Sequence, residues 1–357
     1  MDERILRAVG DEPAWVVGGA VRDELLGREI VDTDVACPAP EPAARLYSRL
    51  AGGAVFPLSE RHGAWRVAFR NGTTVDFTPL HGETIEDDLA TRDFTVNAMA
   101  RPLEGGAVVD PLEGEADLVA RRLRSVSPTV FEDDPLRLLR AVRLEDELGF
   151  RLDRETERLL RGAAGRAADP AGERILGELE RLSPEGFRRA DGLGVLAPLG
   201  GSLERLDAVD LVDTPGFLLV VVFGEGLRRF PVSNDLRRLA RTLLAAGRPP
   251  DDSARAIHRF RRQTEPWALT ALAYLGATDL YEAVRAARAA EPAEPLLRGE
   301  DLLELGVAPG PALGRLLELV AEERAVGAVG TRDEALELVR SELGTEEETA
   351  PPGHGGA

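Results

Sequence analysis

The stretch WVVGGAVRDELLGREIVDTDVAC, residues 15–37, constrains the fold more than any other part of the chain. A short apolar run ends in Gly18 and Gly19, helical spacing follows, and a second strand-like run carries Asp32 and Asp34. Side chains two apart on a strand share a face, so the two aspartates project together while Thr33 turns away. Adjacent carboxylates repel, and a hard divalent cation such as Mg²⁺ suits oxygen ligands while leaving positions for substrate phosphates. Backbone without side chains just before a helix lets a phosphate approach amide donors, and Arg22 adds a two-pronged donor to the same anion. Taken singly, a double glycine marks a turn, and two aspartates one residue apart mark a solvated loop or a helix cap. Together they describe a nucleoside triphosphate held over a metal site.

Composition narrows the class. A chain of 357 residues has room for two or three small domains. Its formal charge of −19 argues against a generally nucleic-acid-binding surface. All 44 basic residues are arginine. The single Cys37 excludes an internal disulfide and reads as a small buried residue at a strand end. His62, His81, His258 and His354 lack zinc-ligand spacing. The charged start MDERILRAVGDEP lacks the features of a secretory signal, and no apolar run approaches the length of a membrane span. A cytoplasmic protein without a membrane partner is expected.

From residue 14 to about 111 strand and helix patterns alternate. AWVVGGA and VDTDVAC read as strands, VRDELLG and PEPAARLYSRLAG as helices. GAWRVAFR and TTVDFTPL read as a hairpin turned by Asn71-Gly72. GETIEDDLATRDFTVNAMA has helical spacing, and GGAVVDPLEG reads as a last strand and turn. From about 128 onward leucine, alanine and arginine recur at helical spacing, and the rest is expected to be helical. The final GTEEETAPPGHGGA is too polar and too rich in glycine and proline to fold.

Three motifs in order carry a family resemblance. The opening stretch resembles the head signature of the tRNA nucleotidyltransferase and bacterial poly(A) polymerase family, the bacterial-type (class II) CCA-adding enzymes. DLATRDFTVNAMA resembles that family's arginine-aspartate motif, and EDDPLRLLRAVRLEDELGF its nucleotide-selecting motif. RGEDLLELGVAPGPALGRLLELV resembles a tail segment common among CCA-adding members. The resemblance implies an α/β head of the polymerase β-like nucleotidyltransferase fold over 1–127, followed by an all-α neck (128–200), body (201–292) and tail (293–342); composition adds the expectation of a disordered C-terminus over 343–357. It implies that Asp32 and Asp34 hold the catalytic metals and that Gly19, Arg22 and Arg92 contact the incoming nucleotide. Where members of the family commonly carry a second arginine before Arg92, this chain has Thr91. Asp76, inside TTVDFTPL, is either a third carboxylate or a solvated hairpin residue.

The third motif can also be read chemically. Cytosine and adenine offer an exocyclic amine beside a ring-nitrogen acceptor, whereas uracil and guanine offer a carbonyl beside a ring N–H. One carboxylate and one guanidinium match the first pair only. Asp134 accepts from the amine and Arg137 donates to the ring nitrogen. Steps of three place Arg140 and Arg143 on the same slowly winding stripe, and the resemblance implies that they too reach the nucleotide. Without the resemblance the stripe reads as a solvated helix face. Asn97 reads as a cap or brace.

Residues 228–262 hold ten arginines against three aspartates, a local charge of +7. This island, with Arg237, Arg238, Arg241, Arg259, Arg261 and Arg262, is expected either to meet a tRNA backbone or to be an ordinary exposed helix face. The expected activity is addition of CMP and AMP from CTP and ATP to tRNA 3′ ends with Mg²⁺. Its rivals are a poly(A) polymerase, an enzyme adding only C or only A, a non-catalytic RNA-binding relative and a small-molecule transferase. RPLEGGAVVDPLEGEADLVARRLR is the stretch suspected of governing a switch from C to A, and no His-Asp dipeptide suggests a phosphohydrolase domain.

Overall fold

In the computed structural model residues 2–59 and 63–349 are described. Val16 and Val17 are buried in β1 (Trp15–Val17), and Gly18 turns the chain, at φ +72°, into the helix Gly19–Leu25. β2 (Asp32–Ala36) buries Val35 and Ala36 at its far end, half-buries Asp34 and leaves Asp32 exposed at its start. Helix Pro40–Ala51 starts with proline in its first turn and stops at Gly52 in the left-handed region. Its Tyr47 is buried and lies against the rings of Phe69 and Phe77, 6.0 and 5.7 Å away between centroids.

β3 (Ala54–Ser59), β4 (Ala64–Ala68), β5 (Thr74–Thr78) and β6 (Ala100–Pro102) complete a mixed sheet of order β3-β4-β5-β2-β1-β6. The β4–β5 hairpin turns at Asn71-Gly72 as expected, with the Asn71 carboxamide accepting the Thr73 N–H and Gly72 at φ +87°. Only the β2–β5 pairing is parallel among the ladders of this sheet. Its register sets Asp34 opposite Asp76 and Asp32 opposite Thr74.

Several expectations need correction. β3 escapes the alternation rule because it is an edge strand carrying Pro57, with Phe56 and Leu58 exposed. The stretch 82–100 is not one helix. Thr84 and Asp87 form a capping box, but the helix Ile85–Ala90 ends at Thr91, because the Asp93 carboxylate takes the Phe94 N–H at 2.7 Å and leads into a 3₁₀ turn, Thr95–Asn97. GGAVVDPLEG supplies only an isolated bridge, Ala100 to Val109. Two short parallel strands, Arg122–Leu123 and Arg151–Leu152, join the end of the head sequence to the helical region.

The chain forms two compact units, one running to Gly201 and taking in Arg229–Pro231, the other made of Ser202–Arg228 and the chain from Val232 on. Past the head sequence, helices Leu136–Leu148, Arg154–Ala163, Gly172–Leu179 and Pro184–Leu193 complete the first unit. The second unit is helical, and one of its cores joins Leu302, Leu316, Val320, Ala335 and Val339. The last helix, Arg332–Thr349, continues beyond 342, so the expected unfolded tail begins as helix. Residues 350–357 lie outside the described residues. Among the described residues no helix is long and apolar enough to cross a membrane.

The segment suspected of governing nucleotide choice is pinned by Asp117, a carboxylate with no solvent exposure. It accepts Arg122 Nε at 2.7 Å, Arg124 Nε at 2.9 Å and the Thr95 hydroxyl at 2.6 Å. Because both arginines reach solvent, replacing one acceptor oxygen by an amide N–H₂ chiefly leaves the buried Thr95 hydroxyl without its acceptor. Asp117→Asn is expected to cost about 1–3 kcal/mol in urea unfolding, and a loss below measurement would show that the hub is not a stability element.

Candidate active site

A cavity of about 210 Å³ opens in the first unit, lined by Gly18, Gly19, Asp34, Arg92, Asp93, Asn97, Asp134, Leu136, Arg137, Arg140 and Arg174. The glycine turn forms one wall. A Cβ built on Gly18 would stand 2.8 Å from Arg92 Nη1 and 3.7 Å from Asp34 Oδ2, and the positive φ independently favours glycine. Arg22 does not line the cavity. Its Nε and Nη2 grip Asp23, each at 2.9 Å, and Nη1 donates to Asn97 Oδ1 at 2.7 Å. Asn97 passes the connection on, donating to Asp93 Oδ1 at 3.0 Å, so it is a brace that also reaches the cavity wall.

Asp93 is buried beside Arg140, whose Nε lies 2.6 Å from Asp93 Oδ2 as an ion pair, although the N–H is not aligned for a hydrogen bond. Burial works to raise the Asp93 pKa, but Arg140, the Asn97 amide and the Phe94 N–H hold it below the usual carboxylate value. Asp93 in return raises the Arg140 pKa further. Arg92 is held through Nε and Nη2 by Asp88 Oδ2, at 3.2 and 2.9 Å, leaving Nη1 toward the glycine turn.

Asp134 and Arg137 also line the cavity. Arg137 donates Nη2 to the Thr91 carbonyl at 2.7 Å, and Asp134 is paired with Arg174 at 2.7 Å. Arg143 does not line the cavity, contrary to expectation. It is 5 % exposed and bonded to Glu178 at 2.5 Å and Glu147 at 2.6 Å. Steps of three on an α-helix drift by about 60° each, and two further steps carry the stripe from the cavity into the interior.

Asp32 and Asp34 share the strand end, with Thr74 donating to Asp32 at 2.7 Å. The Asp34 pKa is raised, first by burial and then by the neighbouring charge of Asp76. Asp76 is 7 % exposed and held by Arg66 through Nε and Nη2, both at 2.7 Å, so it is not a solvated hairpin residue. Among the described residues no cluster of three or more acidic, histidine or cysteine side chains is gathered as a ready metal site. The donor chemistry nevertheless fits a hard divalent cation: Asp32 and Asp34 offer oxygen only, and the burial and like charge that disfavour an ionised Asp34 are what a cation would relieve.

The basic island also differs from its linear count. Arg259 is tied to Glu322 at 2.7 and 2.9 Å and Arg262 to Glu318 at 2.8 Å, while Arg261 is buried against Glu265 and Glu291. These three are engaged by acids of their own unit. Arg237, Arg238 and Arg241 stay exposed on helix Asn234–Ala245, with no acidic partner among the described residues; Arg237 bonds Asn234 and the Val232 carbonyl, and Arg238 lies over the Trp267 ring.

Arg174, Arg66 and Asp88 are the site residues that sequence reasoning missed, since each acts through a partner on another segment or another turn. Asp34 supplies a test of the electrostatics. Its folded pKa lies above the ordinary 3.8, so the folded chain binds the proton more tightly, and Asp34 subtracts stability as pH rises from 3.8 through the raised value. Asp34→Asn is therefore expected to melt higher than the parent at neutral pH without divalent metal, with the gap closing below pH 3.8. A variant that melts lower at neutral pH would contradict this account.

Comparison with known proteins agrees with this geometry. The family model for the poly A polymerase head domain matches residues 14–84 and 69–124. The A-adding tRNA nucleotidyltransferase of Deinococcus radiodurans is 35 % identical over 92 % of this chain and 95 % of its own. The CC-adding tRNA nucleotidyltransferase of Thermus thermophilus is 34 % identical over 90 % of this chain and 92 % of its own. The Thermotoga maritima CCA-adding enzyme, solved in complex with tRNA, shares the fold with a TM-score of 0.72 at 24 % identity, covering 95 % of this chain and 93 % of that one. By its head, its nearly full-length kinship and its fold, the chain belongs to the tRNA nucleotidyltransferase family.

Proposed function

We propose that this chain transfers CMP and AMP from CTP and ATP to the 3′ end of tRNA. The observation that carries the reading is one cavity lined by the carboxylate of Asp34, by Arg92 and Arg140, and by the Asp134 and Arg137 pair. Asp32 and Asp34 would hold Mg²⁺, which supplies activation of the attacking hydroxyl and charge neutralisation at the leaving pyrophosphate. Gly18 and Gly19 let the triphosphate come close to the backbone, and Arg92 and Arg140 offer it positive charge. Arg22 acts one step removed, by fixing Asn97. Asp134 accepts from the exocyclic amine of the base while Arg137, steadied by the Thr91 carbonyl, donates to the ring nitrogen.

A second reading is favoured by the relatives themselves. Those aligned along nearly the whole chain include an A-adding and a CC-adding enzyme at almost equal identity, so this chain could perform part of the sequence. Incubation with Mg²⁺, labelled CTP or ATP, and tRNAs ending before C, after C and after CC separates the cases. Completion to CCA followed by a stop is expected. A alone on the CC-ending tRNA, or C alone on shorter ones, would select the partial enzyme, an unbounded A tail a poly(A) polymerase, and no incorporation would end the proposal.

For the tRNA itself, the exposed Arg237, Arg238 and Arg241 are the proposed partners of the phosphate backbone. Replacing all three by glutamine is expected to weaken tRNA binding and to reduce the slope of log affinity against log salt by roughly one for each phosphate left without its arginine. An unchanged slope would remove this surface from the binding site.

A further inference from the structure

Asp134, the carboxylate on which base reading depends, already has partners on both oxygens. Oδ1 accepts the Leu136 N–H at 3.1 Å, and Arg174 donates Nη2 to Oδ2 at 2.7 Å with Nη1 3.4 Å from Oδ1. Arg174 lines the cavity and belongs to none of the motifs that mark the site in the sequence. A guanidinium fork fixes the plane of a carboxylate, which a single amide bond does not. Each carboxylate oxygen has two lone pairs, so acceptor capacity remains for one more donor.

We infer that Arg174 is a specificity-determining positioning residue, clamping Asp134 so that it presents only an acceptor to the base in the cavity. This inference rests on the reading of Asp134 and Arg137 as the base-reading pair. An exocyclic amine, as on cytosine or adenine, satisfies the clamped acceptor. A keto oxygen, as on uracil or guanine, meets it acceptor to acceptor. Without the clamp the carboxylate is free to swing aside, and Arg137, a donor only, then accommodates a keto oxygen as well.

Two observations favour this role over a structural one. The Arg174 and Asp134 side chains are 52 % and 30 % exposed, and an ion pair so open to water contributes little to stability. Its placement is nevertheless well anchored: Glu178, one turn further along helix Gly172–Leu179, bonds the buried Arg143 of helix Leu136–Leu148 at 2.5 Å. Arg143 thus acts on the site from outside it, by fixing the helix that carries the clamp.

The test is nucleotide binding without tRNA. CTP, ATP, UTP and GTP, each with Mg²⁺, are titrated calorimetrically into the parent chain, Arg174→Met and Arg174→Lys, with thermal melts to verify folding. Removing a charge near the triphosphate weakens all four nucleotides alike, so the informative quantity is the ratio. The parent is expected to prefer CTP over UTP and ATP over GTP. Arg174→Met is expected to lower both preferences roughly tenfold, and Arg174→Lys, a point charge without a fork, to fall between. Equal weakening of all four nucleotides, or unchanged ratios, would overturn the inference. If Arg174→Met fails to melt cooperatively, the ratio in Arg174→Lys decides. A parent that binds all four equally overturns the inference together with the base-reading pair. A parent that discriminates among nucleotides but adds none to tRNA overturns the proposed transfer alone.

Discussion

Asp34 and Asp76 stand side by side because β2 and β5 pair in parallel register, and much of the head answers that juxtaposition. Two carboxylates at this spacing, one of them sheltered from water, need positive charge near them. Arg66 supplies it to Asp76 from the next strand. The charges of Arg92 and Arg140 act on Asp34 without fully offsetting its burial. The glycine turn belongs to the same arrangement, since a side chain at Gly18 would displace the Arg92 guanidinium.

The guanidiniums of the site share a design. Arg92 is gripped by Asp88 and Arg174 by Asp134. A guanidinium carries five N–H donors in a rigid plane, and the gripping acid uses two or fewer. The remainder are aimed before a ligand arrives, so less rotamer freedom is lost on binding than a row of lysines would lose. A chain whose basic residues are all arginine has the side chain suited to this arrangement.

The sequence showed this site where its chemistry is local. The glycine turn, the alternating aspartates of β2 and the Asn71-Gly72 hairpin all follow from short-range rules, and the structure contains each. What was illegible depends on partners distant in the chain. Arg174 meets Asp134 across 40 residues, and no spacing rule marks such a pair. Arg143 was misplaced because a step of three is close to a helical turn without equalling it. The basic island was overcounted because acids of helix Pro311–Ala325 neutralise several of its members, and charge summed along a chain is not charge summed in space. At Asp93 a side chain competing for a backbone N–H ended a helix that apolar spacing alone would have continued.

The bond from Arg137 to the Thr91 carbonyl joins two tasks in one covalent neighbourhood. Thr91 precedes Arg92, so the residue proposed to read the base is tethered to the peptide that carries an arginine proposed to face the triphosphate. In the proposed site, a badly fitting base that displaced Arg137 would load that peptide and, through it, Arg92. Such an error would cost speed of bond formation as well as residence time, because small displacements of a reacting group are costly to turnover. Discrimination would then depend in part on the backbone, at the one carbonyl that ties the end of the helix Ile85–Ala90 to the start of the helix Leu136–Leu148.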